Sequence, residues 1–332
     1  MKHIIKRFWI VICFALMINI PILVFGMTRT NQSVLLKGDT TNVNSIVEID
    51  TEYKEEGSFS SIYVISFDHS TMLQNFFVKR SKTSILEPMN ENYQHFTDME
   101  NYQMGQIQKN SSIMTAIITA YTAAKKIEPE VSINYSFQSF CISYYFADSP
   151  FRIGDEIIKI NDKTVSIGAD SFEQELKSSK AGDSVTVIRD KNEVEIVLTD
   201  NAYRLCRWYP YYAIDYETIA PKVKINKSGV GGPSGGLLQT LSIFNRLLPK
   251  DYTHGLKIAG TGTMDLDGTV GPIGGIQQKV FTAFDDSVDV FFCPEVHYEE
   301  ALKAYNSIKY KEKMALVSVK TLEDAITYLE NV

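Results

Sequence analysis

Two glycine-rich turns in the last third of the chain constrain its fold more than any other feature. They lie in Gly229–Leu241 (GVGGPSGGLLQTL) and Gly271–Phe284 (GPIGGIQQKVFTAF), and each runs into a stretch with apolar residues at helical spacing. The first turn places Ser234 at the start of a predicted helix, and the second places Lys279 within the first turn or so of another. A serine and a lysine presented in this way indicate a serine hydrolase that uses lysine as its base.

The residue types around these turns fit that chemistry. A serine hydroxyl is a weak nucleophile until a neighbouring base removes its proton. Lysine accepts a proton only when neutral, and because its ordinary pKa is about 10.4, burial or a helix N-terminus must lower that pKa. Gly274 and Gly275 allow a tight turn before Lys279. We expect Gly232 and Gly235, on either side of Ser234, to admit a substrate backbone and to supply N–H groups to an oxyanion.

The sequence of both turns and of the segment between them resembles a known family. The motifs that carry the resemblance are GGPSGG at Gly231–Gly236, IAGTGTMDLDGTVGPIGG at Ile258–Gly275, and Lys279. They make Val223–Val332 similar to the proteolytic domain of Lon-type serine peptidases. Carried over by motif, the resemblance implies Ser234 as the nucleophile, Lys279 as the general base and Thr261 as the hydrogen-bond partner of that lysine.

Two departures from the usual Lon pattern narrow the resemblance. Gly235 stands where alanine is commonest, and Gly231 and Gly232 stand where ATP-dependent Lon enzymes carry an acidic residue. This variant resembles a membrane-anchored subfamily of Gram-positive bacteria that joins a membrane helix, a PDZ domain and a Lon-type domain without an ATPase. The implied fold class is α+β, with a mixed α/β proteolytic domain.

The N-terminal segment predicts a membrane anchor. Phe8–Met27 is a run of apolar residues without charge, long enough to span a bilayer. Lys2, Lys6 and Arg7 precede it, which predicts a cytoplasmic N-terminus and a catalytic domain outside the cell. A cleaved signal peptide is the alternative. The polar stretch Thr28–Ser45 after the run predicts a flexible linker.

The region from about Val131 to Thr199 resembles a PDZ domain, most clearly at Asp148–Val165 (DSPFRIGDEIIKINDKTV). PDZ domains bind an extended peptide by adding it as a strand to a sheet edge. The resemblance implies that the binding stretch is Ser139, Phe140, Cys141 and Ile142, with serine where glycine is usual. A purely structural PDZ-like domain is the alternative.

The predicted segments are 1–27 (cytoplasmic tip and transmembrane anchor), 28–130 (linker, strands and a helix packed on the protease domain), 131–200 (PDZ-like) and 201–332 (Lon-type).

Local patterns predict several further elements. They are strands at Ile46–Ile49, Ser60–Ser66, Glu156–Ile160, Ser184–Arg189, Val194–Leu198, Val288–Cys293 and Ala315–Val319, and helices at Met104–Ile127, Phe172–Lys177, Tyr298–Tyr305 and Leu322–Leu329, the last capped by Thr321.

Composition and missing motifs limit the partners. The net charge of −7 argues against nucleic acid. No G-x-x-x-x-G-K-[ST] sequence occurs, so we expect neither a nucleotide nor an ATPase. The four cysteines (Cys13, Cys141, Cys206 and Cys293) show no C-x-x-C spacing, so we expect no metal site and no cofactor. The expected partners are peptide or protein substrates and the membrane, with homo-oligomers implied by the family.

Three functions therefore compete. The first is a membrane-anchored, ATP-independent serine endopeptidase with a Ser–Lys dyad. The second is an α/β-hydrolase, because Gly232–Gly236 also fits G-x-S-x-G and His297 follows in the sequence. That fold needs a strand that runs directly into the serine, and the nearest strand candidate, Lys222–Ile225, ends well before it. The third is a PDZ-bearing surface scaffold without catalysis, against which the retained Ser234 and Lys279 argue.

Overall fold

The computed structural model describes residues 2–89, 95–309 and 313–332; the side chains of residues 2–7 and 10 lie outside that description. The helices are α1 Lys2–Met27, α2 Met72–Val78, α3 Asp98–Ala124, α4 Ala169–Ser178, α5 Ala202–Leu205, α6 Gly236–Arg246, α7 Ile276–Asp285, α8 Tyr298–Asn306 and α9 Leu322–Glu330. The strands are β1 Gln32–Asn42, β2 Val47–Ile49, β3 Ser58–Phe67, β4 Ile85–Pro88, β5 Tyr135–Tyr145, β6 Glu156–Ile160, β7 Lys163–Thr164, β8 Ser184–Arg189, β9 Asn192–Val197, β10 Cys206–Ile214, β11 Val223–Ile225, β12 Lys257–Gly260, β13 Thr263–Met264, β14 Val270–Gly271, β15 Val290–Pro294 and β16 Ala315–Val319.

The chain forms two compact units. The first unit comprises Met1–Gly38 and Val64–Gln94, and the second comprises Asp39–Tyr63 and His95–Val332. In the first unit the start of β1 pairs antiparallel with β4, from Gln32 opposite Pro88 to Leu35 opposite Ile85. The predicted flexible linker is therefore wrong over β1, because a distant strand satisfies its backbone groups.

Helix α1 contains the predicted membrane span. The helix begins within the basic segment, so it includes Lys2, Lys6 and Arg7 as well as the apolar run. Phe8 is 69% exposed and Met17 is 70% exposed. Among the residues that the structure describes, no helix combines the length and the apolar character needed to cross a membrane, so the predicted span is not supported.

A parallel sheet lies at the centre of the second unit. Its strand order is β16–β15–β12–β3, and Lys257–Gly260 of β12 lies in register with Ser58–Ser61 of β3 and, through Ile258–Gly260, with Val290–Phe292 of β15. Successive side chains of a strand point to opposite faces, so Phe292 packs with α3, α6 and α9 while Phe291 packs with α7 and α8. Helices cover both faces, as is usual for parallel sheets.

Helix α3, with 27 residues, is the longest of the described helices and packs on α6. It begins six residues before the predicted start at Met104, because Thr97 and Glu100 form a capping box ahead of it. Ile117 and Tyr121 are fully buried in the core that α3 shares with α6. The helix therefore belongs to the body of the second unit.

An antiparallel sheet with the order β10–β5–β6–β8–β9 contains the predicted PDZ-like segment. Its core holds Phe140, Phe172 of α4 and Val187 of β8. Strand β10 pairs with β5 over its whole length, from Cys206 opposite Tyr145 to Ile214 opposite Tyr135. The sheet thus continues beyond residue 200, where the predicted PDZ-like segment ends.

Candidate active site

A loop without regular structure leads from β11 to Ser234 and the start of α6. Between β11 and α6 the chain passes through Gly232, whose φ of +88° is a backbone conformation that glycine adopts without strain. Ser234 then sits in the turn before Gly236, the first residue of α6, and its side chain is half-buried. Strand β11 ends at Ile225, well short of the serine. The strand–serine–helix turn of α/β-hydrolases is therefore absent at Ser234.

The lysine sits at the start of α7. Gly275 is the N-cap residue with a left-handed φ of +70°, so the chain can reverse there at little cost. Ile276 opens the helix, and Lys279 lies in its first turn with only 1% of its surface exposed. The predicted helix start and the predicted burial of the lysine are both observed.

A third polar residue follows the central strand β12. Thr261 comes directly after Gly260 and is fully buried. Its two neighbours have no room for a side chain, because a Cβ on Gly260 would lie 2.6 Å from the Phe292 carbonyl oxygen and one on Gly262 would lie 2.7 Å from Val270 Cγ1. The Gly-Thr-Gly sequence therefore lets this backbone lie against its neighbours while Thr261 carries the only side chain.

These three residues meet in one hydrogen-bonded group. Lys279 Nζ lies 3.0 Å from Ser234 Oγ and 2.9 Å from Thr261 Oγ1. Thr261 Oγ1 in turn donates to the Ser234 carbonyl oxygen at 3.1 Å, and the Gly262 N–H donates to the same oxygen at 2.8 Å. The structure thus places the predicted nucleophile, base and supporting residue within hydrogen-bond distance of one another.

Burial controls the protonation of Lys279. Loss of solvent lowers the pKa of its ammonium from 10.5 to about 7. No ion pair holds Lys279 among the described residues, whose charged contacts all lie elsewhere. A lysine with this pKa is neutral in a large fraction of molecules at neutral pH and can accept the proton of Ser234.

The two glycines predicted to serve an oxyanion have different surroundings. The Gly232 N–H donates to the Gly105 carbonyl oxygen of α3 at 2.8 Å, so in this geometry it is already engaged and does not serve an oxyanion. The close approach of a substrate backbone at Gly232 stays a prediction. The Gly235 N–H lies at the N-terminal end of α6 and has no hydrogen bond within the described part of the chain. First-turn N–H groups of a helix lack intrahelical partners, so Gly235 remains suited to an oxyanion.

The alternative base and the predicted peptide-binding stretch lie elsewhere. His297 Nε2 accepts the Ile273 N–H at 3.1 Å, and no hydrogen bond joins His297 to Ser234 in the described residues. Phe140 pairs with both Ile157 of β6 and Pro210 of β10. Ser139 and Ile142 are fully buried, and Cys141 is part-buried between the same two strands. The structure therefore leaves no free strand edge at Phe140 and Cys141.

The geometry of the serine and lysine agrees with the family comparison. Residues 214–330 match the C-terminal proteolytic domain of Lon protease (S16). The Lon protease of Campylobacter jejuni is 32% identical over 97 residues, which cover 29% of this chain and 12% of that protein. The Lon protease of Clostridium acetobutylicum is 31% identical over 100 residues, 30% of this chain and 12% of that protein, and that of Campylobacter concisus is 27% identical over 127 residues, 38% and 15%.

This match covers only one part of this chain and one part of each Lon protease. The chain spans only about an eighth of the length of the curated relatives it matches. The Lon-type match begins at Ile214, the residue at which β10 ends. Helix α3 and most of the antiparallel sheet therefore lie outside the matched segment. Only their contacts with the residues of the site show what they contribute to it. Sequence reasoning missed that contribution; the one local signal was Gly105 within an otherwise helical pattern.

Proposed function

We propose that this protein is a serine endopeptidase that cleaves peptides or unfolded protein segments with Ser234 as nucleophile and Lys279 as general base. The observation that carries the proposal is the 3.0 Å separation of Lys279 Nζ from Ser234 Oγ, together with the lowered pKa of the buried lysine. The S16 match of residues 214–330 supports peptidase chemistry independently of this geometry.

The reaction follows from the contacts. Neutral Lys279 takes the proton of Ser234 while Oγ attacks the carbonyl carbon of the scissile bond. The resulting oxyanion faces the start of α6, where the Gly235 N–H can donate to it. The lysine ammonium then protonates the leaving amine, and an acyl-enzyme remains on Ser234. Water, deprotonated by Lys279, hydrolyses that ester. Thr261 accepts a hydrogen bond from Lys279 and keeps Nζ directed at the serine.

ATP-independence belongs to the same proposal. The 332 residues contain no G-x-x-x-x-G-K-[ST] phosphate-binding sequence, so we expect no coupling of nucleotide hydrolysis to the unfolding of substrates. Substrates should then be short peptides or segments that are already unfolded. Cleavage that requires ATP in the purified protein would contradict this part.

A cavity bordered by β5 of the antiparallel sheet supports the proposal that substrate binds beside this strand. It has a volume of about 790 Å³ and is bordered by Tyr135 and Phe137 of β5, by α4 and by the turn after β13. Over Tyr135–Ser139, β5 pairs with β10 on one edge, and no described strand pairs with the other. An extended peptide can add to that edge. This position replaces the predicted strand edge at Phe140 and Cys141, although Phe140 itself also lines the cavity.

The charge of the cavity favours basic substrates. Asp170 and Glu173 of α4 and Asp265 after β13 line it, and Lys177 is already paired with Glu173 at 2.9 Å. Burial, and then the proximity of Asp267 and Glu173, raise the pKa of Asp265. Peptides with lysine or arginine on one side of the cleaved bond should therefore have a lower KM than matched peptides with glutamate, and an Asp170→Asn, Asp265→Asn variant should reduce that preference. Equal KM values for both peptides would contradict this assignment.

An extracellular position of the catalytic domain also remains a proposal, based on the basic residues before the apolar run. Protease added to intact cells should digest the domain. Full protection of the domain under conditions that digest a known surface protein would contradict it.

The decisive experiment compares Ser234→Ala and Lys279→Ala with the wild type on unstructured peptides, read by mass spectrometry. Each variant should lose cleavage while its circular dichroism is unchanged, and the double variant should be little worse than either. An active Lys279→Ala enzyme combined with an inactive His297→Ala enzyme would instead favour the hydrolase reading. A wild type without activity on any peptide would favour the scaffold reading.

A further inference from the structure

The loop before the catalytic serine has little structure of its own. This nucleophile loop, Ser228–Pro233, contains three glycines in six residues. Among the described residues, the one hydrogen bond within the loop is donated by the Val230 N–H to Ser228 Oγ at 3.3 Å. Glycine has more backbone freedom than any other residue, so this loop needs partners outside itself to hold one conformation.

One face of α3 provides those partners. Lys109 Nζ donates to the Ser228 carbonyl oxygen at 2.7 Å, the Gly232 N–H donates to the Gly105 carbonyl oxygen at 2.8 Å, and Ser112 Oγ donates to the Pro233 carbonyl oxygen at 3.0 Å. Positions 105, 109 and 112 are spaced by four and three residues, so they share one side of the helix. The three contacts hold the first residue and the last two residues of the loop.

Gly105 shows how closely the helix and the loop approach. A Cβ on Gly231 would lie 3.1 Å from Gly105 Cα, and a Cβ on Gly105 would lie 3.4 Å from Gly231 Cα. Glycine inside a helix is less favourable than alanine. Its presence in the second turn of α3 is explained by the backbone of the loop, which lies directly against it.

Lys109 is an unusual residue at such a position. It is only 9% exposed, and its ammonium contacts two neutral acceptors, the Ser228 carbonyl oxygen and Gln106 Oε1 at 2.6 Å. Burial lowers its pKa. The structure shows no ion pair for this lysine among the described residues. The buried ammonium therefore contacts the loop without a carboxylate to neutralise its charge, which is an unfavourable arrangement for a lysine.

We propose that Gly105, Lys109 and Ser112 of α3 are positioning residues for Ser234: they fix the nucleophile loop so that Ser234 Oγ stays within reach of Lys279 Nζ. None of them is expected to touch substrate. The inference rests on the proposed peptidase function. It assigns a catalytic support to a helix that lies outside residues 214–330, the segment that matches Lon protease. Because a misplacement of about 1 Å can reduce a rate by about 100-fold, loosening the loop should lower kcat and leave KM nearly unchanged.

The chain offers a matched pair for the test. Ser111 and Ser112 are adjacent, buried serines of α3, and each donates one hydrogen bond to a prolyl carbonyl oxygen. Ser111 reaches Pro210 of β10 at 2.8 Å, whereas Ser112 reaches Pro233 of the loop. Ser112→Ala should lower kcat about tenfold with an unchanged KM, and Ser111→Ala should keep kcat within about twofold of the wild type.

Two further variants separate positioning from stability. Lys109→Met removes the contact to Ser228 but also a buried charge, so the protein should remain folded while kcat falls about 10- to 100-fold. Gly105→Ala should raise helix propensity and still lower kcat. The inference is overturned if Lys109→Met and Ser112→Ala keep wild-type kcat, or if Ser111→Ala loses as much activity as Ser112→Ala.

Amide hydrogen exchange provides a readout that does not depend on activity. In Lys109→Met and Ser112→Ala the amides of residues 229–232 should exchange faster than in the wild type and in Ser111→Ala. If the wild-type protein cleaves no peptide, the proposed function fails, but this comparison still tests the role of α3. Unchanged exchange in both loop variants would refute it.

Discussion

Replacement of Lys279 by methionine should abolish cleavage and, at the same time, stabilise the fold near neutral pH. The lysine is 1% exposed, and burial lowers its pKa from 10.5 to about 7. Methionine has a similar length and flexibility and carries no charge. Between these two pKa values the unfolded chain holds a proton that the folded chain does not, so the free energy of unfolding of the wild type rises with pH there. The lysine therefore costs the fold most at and below pH 7.

The lowered pKa of Lys279 and its two hydrogen bonds set the expected change in the free energy of unfolding. A difference of about 3.5 pKa units at about 1.36 kcal/mol each amounts to about 5 kcal/mol at and below pH 7. Methionine gives up hydrogen bonds to Ser234 and Thr261, which contribute about 0.5–1.5 kcal/mol each. Lys279→Met should then be about 2–4 kcal/mol more stable than the wild type at pH 7. Above about pH 10.5 the charge no longer matters, and the variant should be slightly less stable.

Denaturant unfolding at a series of pH values from 6 to 10.5 measures this difference. Trp208 lies in β10 of the second unit, so its fluorescence follows the unit that contains the site. Lys303→Met, at an exposed position of α8, serves as the control and should change the midpoint little. Two results would refute the conclusion that burial lowers the pKa of Lys279 at a cost in stability. One is a Lys279→Met protein that unfolds at the wild-type midpoint at pH 7, and the other is a gain in stability that does not shrink towards pH 10.

Three further predictions concern the same site. Cleavage should rise with pH and reach half its maximum near pH 7, because only neutral Lys279 accepts the serine proton; a kcat/KM that is flat from pH 5 to 9 would contradict this. Thr261→Val should lower kcat about 10- to 100-fold without unfolding the protein, since it removes two hydrogen bonds, one from the lysine and one to the Ser234 carbonyl oxygen; wild-type kinetics at every pH would remove Thr261 from the site. Gly275→Ala should destabilise the protein by about 1–2 kcal/mol, measured by denaturant midpoint, because φ is +70° there; an unchanged midpoint would show that the turn relaxes.

Local signals explain what the sequence predicted well. The last helix begins at Leu322 after a Thr321 capping box, as predicted, and the apolar run of Ala315–Val319 forms the strand that its pattern indicates. The two glycine turns likewise place Ser234 and Lys279 at helix starts through their own backbone geometry. Each of these features is decided within a few residues, so neighbouring sequence suffices.

Contacts between distant segments explain what the sequence did not reveal. Strand β10 was not predicted, because its pairing with β5 joins residues that lie about seventy positions apart. The engagement of the Gly232 N–H by Gly105 likewise depends on how α3 packs, which no local pattern encodes. That contact removes one predicted oxyanion donor and gives α3 a place beside the active site.

The same long-range contacts predict that residues 214–332 will not form an active enzyme alone, although residues 214–330 match a proteolytic domain. Strand β12 pairs with Ser58–Ser61, and the core beside α6 contains Phe59 together with Ile117 and Tyr121 of α3, all at most 1% exposed. Each such side chain stabilises the fold by about 1.5–3 kcal/mol when buried, so the loss of these three removes about 5–9 kcal/mol, comparable with the whole stability of a domain. Expressed alone, residues 214–332 should bind a hydrophobic dye and fail to cleave peptides, whereas the longer fragment of residues 39–332 should retain more activity. A soluble, active 214–332 fragment would show that β3 and α3 are accessories rather than parts of the domain.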